Sequence, residues 1–309
     1  MNKKIVVTGA AGFIGGHLCR KLLIEHECSV IGIDNLRSGD WSRTPDKVLR
    51  IERDLSDFSQ NELNELLKGV DILFHLAAEK YNSSKSTPEK LFQTNVLATE
   101  RLFRAAALNN VGRTVFTSSL YAYGSMGPTI MNEEQVPLPV TLYGASKLMG
   151  EGILRSTDRE IGLSWNVARL FFIYGPNQHA EGGYKSVVLG NFEKIIANSP
   201  PTINGDGEQS LDYVYIEDCI EALMTLATDE RDREIVNVSS GTGISIKDLT
   251  GYMLNIAKSN LHPITQTSDW TKGSVRVGST DAMKSKFDWQ TKVSPISGLA
   301  KVYDWLQKL

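Results

Sequence analysis

Short apolar, β-branched runs alternating with longer helical patterns predict an α/β fold: a doubly wound parallel sheet followed by a smaller mixed α/β C-terminal region. Two further observations support this class. The runs are apolar on both faces, as strands covered by helices on each side require, and a glycine-rich turn follows the first of them. The 309 residues, 41% hydrophobic and 22% charged, suit one large domain or two closely joined ones and exclude a disordered or collagen-like chain. A formal charge of -3 leaves no global basic field for nucleic acid or an anionic membrane. No apolar run reaches the ~20 residues that cross a bilayer, and the first strand begins too early to follow a signal peptide. Cys19, Cys28 and Cys219 are odd in number and lack CxxC spacing, so neither a disulfide framework nor a metal site is expected, and a cytoplasmic location is.

In chain order, strands are expected at 4–8, 29–34, 71–77, 114–118 and 164–170, with helices at 12–24, 61–68, 88–109 and 143–161 between them. The second helix carries Leu63, Leu66 and Leu67 at helical spacing. After Phe172 the pattern changes. Gly175-Pro176, Pro200-Pro201 and the turn cluster Asn204-Gly205-Asp206-Gly207 bracket a helix at 184–198. A strand at 212–216, a helix at 217–228, a strand at 234–238 and helices near 246–258 and 295–309 complete the chain. The expected division is 1–171 and 172–309, with a stretch near 205–230 packing back on the first part.

The first strand runs into Thr8-Gly9-Ala10-Ala11-Gly12-Phe13-Ile14-Gly15, a GxxGxxG turn that opens a helix. One glycine permits the tight turn, another lets backbone approach a pyrophosphate, and Gly15 permits close packing of helix on strand, while the helix N-terminus offers free N–H groups to phosphates. The next strand ends in Asp34, about 20 residues on, where a carboxylate accepts hydrogen bonds from an adenosine ribose. It would repel a 2′-phosphate, which favours NAD over NADP, although Arg37 lies close by in sequence.

Tyr143-Gly144-Ala145-Ser146-Lys147 places a phenol and an ammonium four residues apart, on one face of a helix. A tyrosine with a pKa near ~10 is too weak an acid to serve as a base at neutral pH, and the nearby cation is expected to stabilise its phenolate and bring the pKa toward the working range. Ser118 and Ser119 close a strand at the carboxyl edge of the sheet, where open α/β folds bind ligands.

Further marks are Asp34-Asn35-Leu36, Asp54-Leu55, His75-Leu76-Ala77-Ala78, Asn95-Val96, Tyr174-Gly175-Pro176 and Gly205-Asp206-Gly207. With these, nearly the whole chain resembles the extended short-chain dehydrogenase/reductase family, in particular its NAD-dependent sugar-nucleotide epimerase/dehydratase branch of the UDP-glucose 4-epimerase type. The resemblance implies a Rossmann-type domain that holds NAD and a C-terminal region that closes over a nucleotide-linked sugar. It implies cofactor contacts at Gly9, Gly12, Phe13, Ile14, Gly15, Asp34, Asn35, Asp54, Leu55, Leu76, Ala77, Ala78, Lys80 and Asn95. It makes Ser119 the catalytic hydroxyl and Tyr143 the base, and has Lys147 hold the nicotinamide ribose. His75 reads as a partly buried strand residue rather than a base.

The implied reaction is epimerisation, at C4, through a transient 4-keto sugar. A net reductase or dehydrogenase of a keto-sugar or other alcohol would use the same site, and a non-catalytic dinucleotide sensor would have little use for Ser119, Tyr143 and Lys147 together. The dehydratase branch carries Asp-Glu after the catalytic hydroxyl, where this chain has Leu120-Tyr121, so 4,6-dehydration is not expected. Phe172, Leu211 and Thr271 stand where the family has an Asn and two Arg on the diphosphate. Candidate substrate residues are therefore Ser119, Tyr121, Phe172, Lys185, Lys272 and Arg276. A homodimer is expected through the helices at 88–109 and 143–161, the first bearing Leu91, Leu102, Phe103 and Ala106.

Overall fold

Ile5, Val6 and Val7 fill the first strand with apolar side chains, and the computed structural model buries all three in β1 (Lys3–Thr8), an inner strand of a seven-stranded sheet. Residues 3–25, 27–124, 129–178, 185–267 and 273–309 are described. The chain divides into two compact units, residues 1–125, 136–170 and 220–236 in one and 126–135, 171–219 and 237–309 in the other.

In the first unit, α1 (Phe13–Glu25), β2 (Cys28–Asp34), β3 (Leu49–Glu52), α2 (Gln60–Leu67) and β4 (Ile72–His75) follow β1. Next come α3 (Tyr81–Ser86), α4 (Pro88–Phe92), a π-helical stretch Gln93–Ala98, α5 (Thr99–Leu108), β5 (Arg113–Ser119), α6 (Leu142–Ile161) and β6 (Trp165–Leu170). After β7 (Phe172–Tyr174), α7 (Val187–Ile196), β8 (Thr202–Asn204) and β9 (Ser210–Tyr215), the chain passes through α8 (Ile216–Thr228) to β10 (Glu234–Val238), which closes the sheet edge. The order is β10-β6-β5-β4-β1-β2-β3, and β1 pairs in parallel with both β2 and β4. The winding reverses between β1 and β4, the place where such sheets open a crevice for ligands.

The core of this unit joins Val6, Leu73, Phe103, Phe116, Leu154 and Val167 among others. Leu91, Leu102, Phe103 and Ala106 are all fully buried, so they cannot serve a subunit contact. On the same helical segments, Leu97, Leu108 and Met149 are exposed apolar side chains. The single helix expected over 88–109 is interrupted by the π-helical stretch, and this wider turn brings the Asn95 amide to Glu79 and Ser146.

The second unit also holds β11 (Gly243–Ser245), α9 (Ile246–Ile256), β12 (Ile264–Gln266), β13 (Val275–Arg276), α10 (Asp281–Phe287) and α11 (Pro295–Leu306). Strand β9 pairs in parallel with β7 and β13 and antiparallel with β11, and β12 pairs in parallel with β8. Buried Asp212 ties this unit together by accepting N–H groups of Ser240, Gly241 and Gly278 and the Ser240 hydroxyl.

Two charges are buried in the first unit where α6 crosses β5 and β6. Glu151 accepts from Arg169 Nε at 2.9 Å, from Arg169 Nη2 at 2.7 Å and from the Ser118 hydroxyl at 2.6 Å. The guanidinium also lies 4.5 Å from the centre of the Tyr123 ring. Removing one partner of such a pair strands the other charge in a dry interior. Glu151→Ala is expected to lower the unfolding free energy by ~3–5 kcal/mol, whereas Glu151→Leu combined with Arg169→Met is expected to cost far less. Denaturant midpoints of the two variants check this, and equal losses would show that packing rather than charge governs the site.

Candidate active site

The glycine turn is shaped by what it must avoid. Gly9 has φ 71°, and a Cβ there would meet the Ala77 nitrogen at 2.9 Å; a Cβ on Gly15 would meet the Gly9 carbonyl oxygen at 2.1 Å. Gly9 is thus the tight-turn glycine and Gly15 the packing one. Phe13 and Ile14 open α1, so their N–H groups have no intrahelical acceptor and are available to a phosphate. This cradle fits a dinucleotide.

Asp34, at the end of β2, accepts the Ala11 N–H at 3.0 Å on one oxygen and the Leu36 N–H at 2.9 Å on the other. Each oxygen retains a lone pair for a ribose hydroxyl. Burial pushes this carboxyl up, against the two N–H donors and the positive charges of Arg43 and Lys80. Asn35 donates to Asp54 at 2.7 Å, and Asp54 also takes Ser56 N–H and hydroxyl donors and an ion pair with Lys90. Burial opposes ionisation of Asp54, but these donors prevail and hold its carboxyl well below the usual range. Leu55 is buried in the core.

On the other side of β1, the loop after β4 is fastened to the end of that strand. Thr8 Oγ1 lies 2.7 Å from His75 Nδ1 and accepts the Ala77 N–H at 3.2 Å, while the Leu76 N–H donates to the Thr8 carbonyl. His75 is fully buried, where partial burial was expected, and burial pushes its pKa down to about 3, so it stays neutral. Ala77 and Ala78 are half-buried and Lys80 is exposed. The Asn95 amide accepts the Glu79 N–H at 2.7 Å and donates to the Glu79 carbonyl and to Ser146 Oγ, both at 3.0 Å. Its role in this structure is to pin the loop to α6.

At the end of β5, Ser119 hydrogen-bonds the Tyr143 phenol and accepts the Tyr121 N–H at 3.3 Å. The Thr141 hydroxyl caps α6 by accepting the Gly144 N–H at 3.0 Å. A Cβ at Gly144 would lie 2.2 Å from the Tyr121 carbonyl oxygen, and one at Gly150 would lie 2.6 Å from the Phe116 ring, so both glycines let α6 sit against β5 and the turn after it. Lys147 Nζ donates to the Thr117 carbonyl at 2.9 Å and stands 5.9 Å from the centre of the Tyr143 ring. Burial drives the pair apart in acidity: the phenol is pushed up to about 12, with only Ser119 opposing, and the ammonium is pushed down to about 7. Tyr121 meets Tyr143 edge-on at 5.7 Å, and Tyr81 lies against Tyr121 at 5.4 Å.

The remaining candidates belong to the second unit. Phe172 pairs with Tyr213 across β7 and β9, Lys185 is exposed and ion-paired with Glu193 of α7, and Arg276 stands beside Leu211 in the register of β13 and β9. Lys272 and Thr271 lie outside the described residues. Sequence reading missed Glu151, Thr141 and Tyr81. The first lies four residues beyond Lys147, so helical spacing alone places it on the same face.

A curated relative from Methanocaldococcus jannaschii, a putative UDP-glucose 4-epimerase, is 30% identical to this chain over 98% of both. Among solved structures, a UDP-glucose 4-epimerase from Thermotoga maritima, determined with UDP-glucose, superposes with a TM-score of 0.92 at 29% identity over 99% of each chain. A dTDP-glucose 4,6-dehydratase from Streptomyces venezuelae with NAD bound reaches 0.89 at 25% identity, covering 99% of this chain and 97% of its own. Residues 5–239 match the model of the NAD dependent epimerase/dehydratase family, and the chain belongs to that family.

Proposed function

We propose that the protein is an NAD-dependent epimerase of a nucleotide-linked sugar, acting at C4 through a transient 4-keto intermediate. The observation that carries this reading is the Ser119–Tyr143–Lys147 group at the end of β5, in the same unit as a glycine cradle fitted to a dinucleotide. Residues 1–171 hold the cofactor and 172–309 the substrate nucleotide. Tyr143 takes the proton of the sugar hydroxyl and returns it; Ser119 donates to the phenolate and steadies its charge; Lys147, held on the Thr117 carbonyl, orients the nicotinamide ribose. Bound NAD supplies the hydride acceptor and donor, so it is recycled.

The residues after Ser119 set the branch of the reaction. Leu120 is buried and Tyr121 presents a phenol, and neither offers the carboxylic acid that elimination of water needs. A second reading, reduction of a keto-sugar or other alcohol, is favoured by buried apolar Leu211 where the diphosphate-binding Arg of the family would stand. Both readings place the protein, with its free thiols Cys19, Cys28 and Cys219, in the cytoplasm as a homodimer. The dimer face uses Leu97, Leu108 and Met149, apolar side chains left outside the core on the helical segments at 88–108 and 142–161.

Incubation with NAD and a panel of UDP-, GDP-, CDP- and dTDP-sugars, followed by chromatography and NMR, is expected to give one C4 epimer with no net NADH. Net consumption of added NADH with a keto-sugar, and no epimer, would replace the leading reading with the second. Tyr143→Phe is expected to retain cofactor and lose ~10²- to 10⁴-fold in turnover; activity within a few-fold of wild type would assign the base elsewhere. By calorimetric titration NAD is expected to bind more tightly than NADP, with Asp34→Ala narrowing the gap, and a wild-type preference for NADP would reverse the cofactor assignment. Sedimentation is expected to show a dimer at micromolar concentration that Met149→Glu weakens, and a monomer throughout would remove the proposed face.

A further inference from the structure

The glycine turn is flanked by two loops whose charged side chains meet. Strands β4, β1 and β2 are adjacent and parallel, so their carboxyl ends share one edge, with β1 in the middle. Arg37 lies three residues beyond the end of β2 and Glu79 four beyond the end of β4. Arg37 Nη1 donates to Glu79 Oε1 at 2.8 Å. At ~4.8 Å between neighbouring strands, this contact spans ~10 Å across the carboxyl end of β1 and the turn that begins at Gly9.

Both ends of the contact are anchored. Glu79 is buried, and its N–H and carbonyl are both held by the Asn95 amide. On the opposite side, the loop after β2 is folded tightly: Asp34 takes the Leu36 N–H, Asn35 takes the Arg37 N–H at 3.0 Å, and Leu36 adopts the left-handed φ of 56°. Further along, the same loop returns to the glycine turn, since the Asp40 N–H and Arg43 Nη1 both donate to the Ala11 carbonyl. A Cβ at Gly39 would crowd Asp34 Oδ1 at 2.5 Å and the Ala11 Cβ at 3.0 Å. The loop is thus seated on the turn, and Arg37 carries it across to the β4 side.

We propose that the Arg37–Glu79 ion pair is a latch that retains the dinucleotide, so that release requires the two side chains to part. An exposed ion pair between free side chains contributes little. Here Glu79 is buried and held, so only the half-exposed Arg37 side chain loses freedom when the contact forms. A retained cofactor also suits an enzyme that returns its hydride to the same sugar. The inference rests on the NAD-dependent reading above, and concerns the rate of release rather than the chemistry.

The test uses the full chain loaded with NADH and chased with excess NAD, with release followed by the loss of nicotinamide fluorescence. Arg37→Ala and Glu79→Gln are each expected to speed release about tenfold, the scale of one charge-assisted hydrogen bond. The double variant is expected to release no faster than either single one. Unchanged release in Glu79→Gln with fast release in Arg37→Ala would overturn the latch, since Arg37 would then act alone. Multiplying effects in the double variant would overturn it as well. A wild-type protein that binds neither NAD nor NADH would instead refute the cofactor reading.

Discussion

A carboxylate and a guanidinium that never reach water, those of Glu151 and Arg169, hold α6, β5 and β6 together at the end where Ser119, Tyr143 and Lys147 stand. Such a pair adds little net stability, because desolvation of both charges offsets most of their attraction. Its geometric effect is larger. Two hydrogen bonds in a fixed fork, with Ser118 as a third donor, permit one angle and one register between helix and sheet. Sliding α6 by a turn would separate all three groups at once, and the distance from Lys147 to the Thr117 carbonyl would be lost with them.

The same dryness sets the acidity of the site. Burial disfavours whichever form carries charge, so it raises the phenol and lowers the ammonium, and their pKa values are drawn toward opposite ends of the ordinary order. The protein opposes this with one hydroxyl at the phenol and with the charge of Glu151 at the ammonium. Buried His75, whose ring nitrogens face the hydroxyls of Thr8 and Thr99, stays neutral and adds no positive charge nearby.

Most of the first unit was legible because its inner strands are apolar on both faces and separated by helices; β3, four residues of mostly exposed Leu-Arg-Ile-Glu, was not. The glycine turn, Asp34 and the Tyr143–Lys147 spacing were legible for a different reason, since each records a local geometric need. The hidden features were mostly tertiary. Strands β7, β8, β11 and β12 have three residues each and β13 has two, too few for any alternation, and they exist only through partners distant in the chain. The π-helical stretch was hidden too, because nothing in Gln93–Ala98 itself asks for a wider turn; the request comes from Glu79 and Ser146. Leu91, Leu102, Phe103 and Ala106 show the limit of helical periodicity, which reports an apolar face but not whether core or subunit covers it.

The turn that carries Tyr121 is fixed by groups other than the tyrosine side chain. Its shape comes from the Tyr121 N–H on Ser119, the Tyr123 N–H on the Leu120 carbonyl and the bare glycine at 144 that lets the helix close over the Tyr121 carbonyl. Scaffold and reagent are therefore separable within a few residues. Evolution can exchange the side chain at 121 without rebuilding the frame that aligns Tyr143, whereas a single methyl group at 144 would dislodge the helix that carries it.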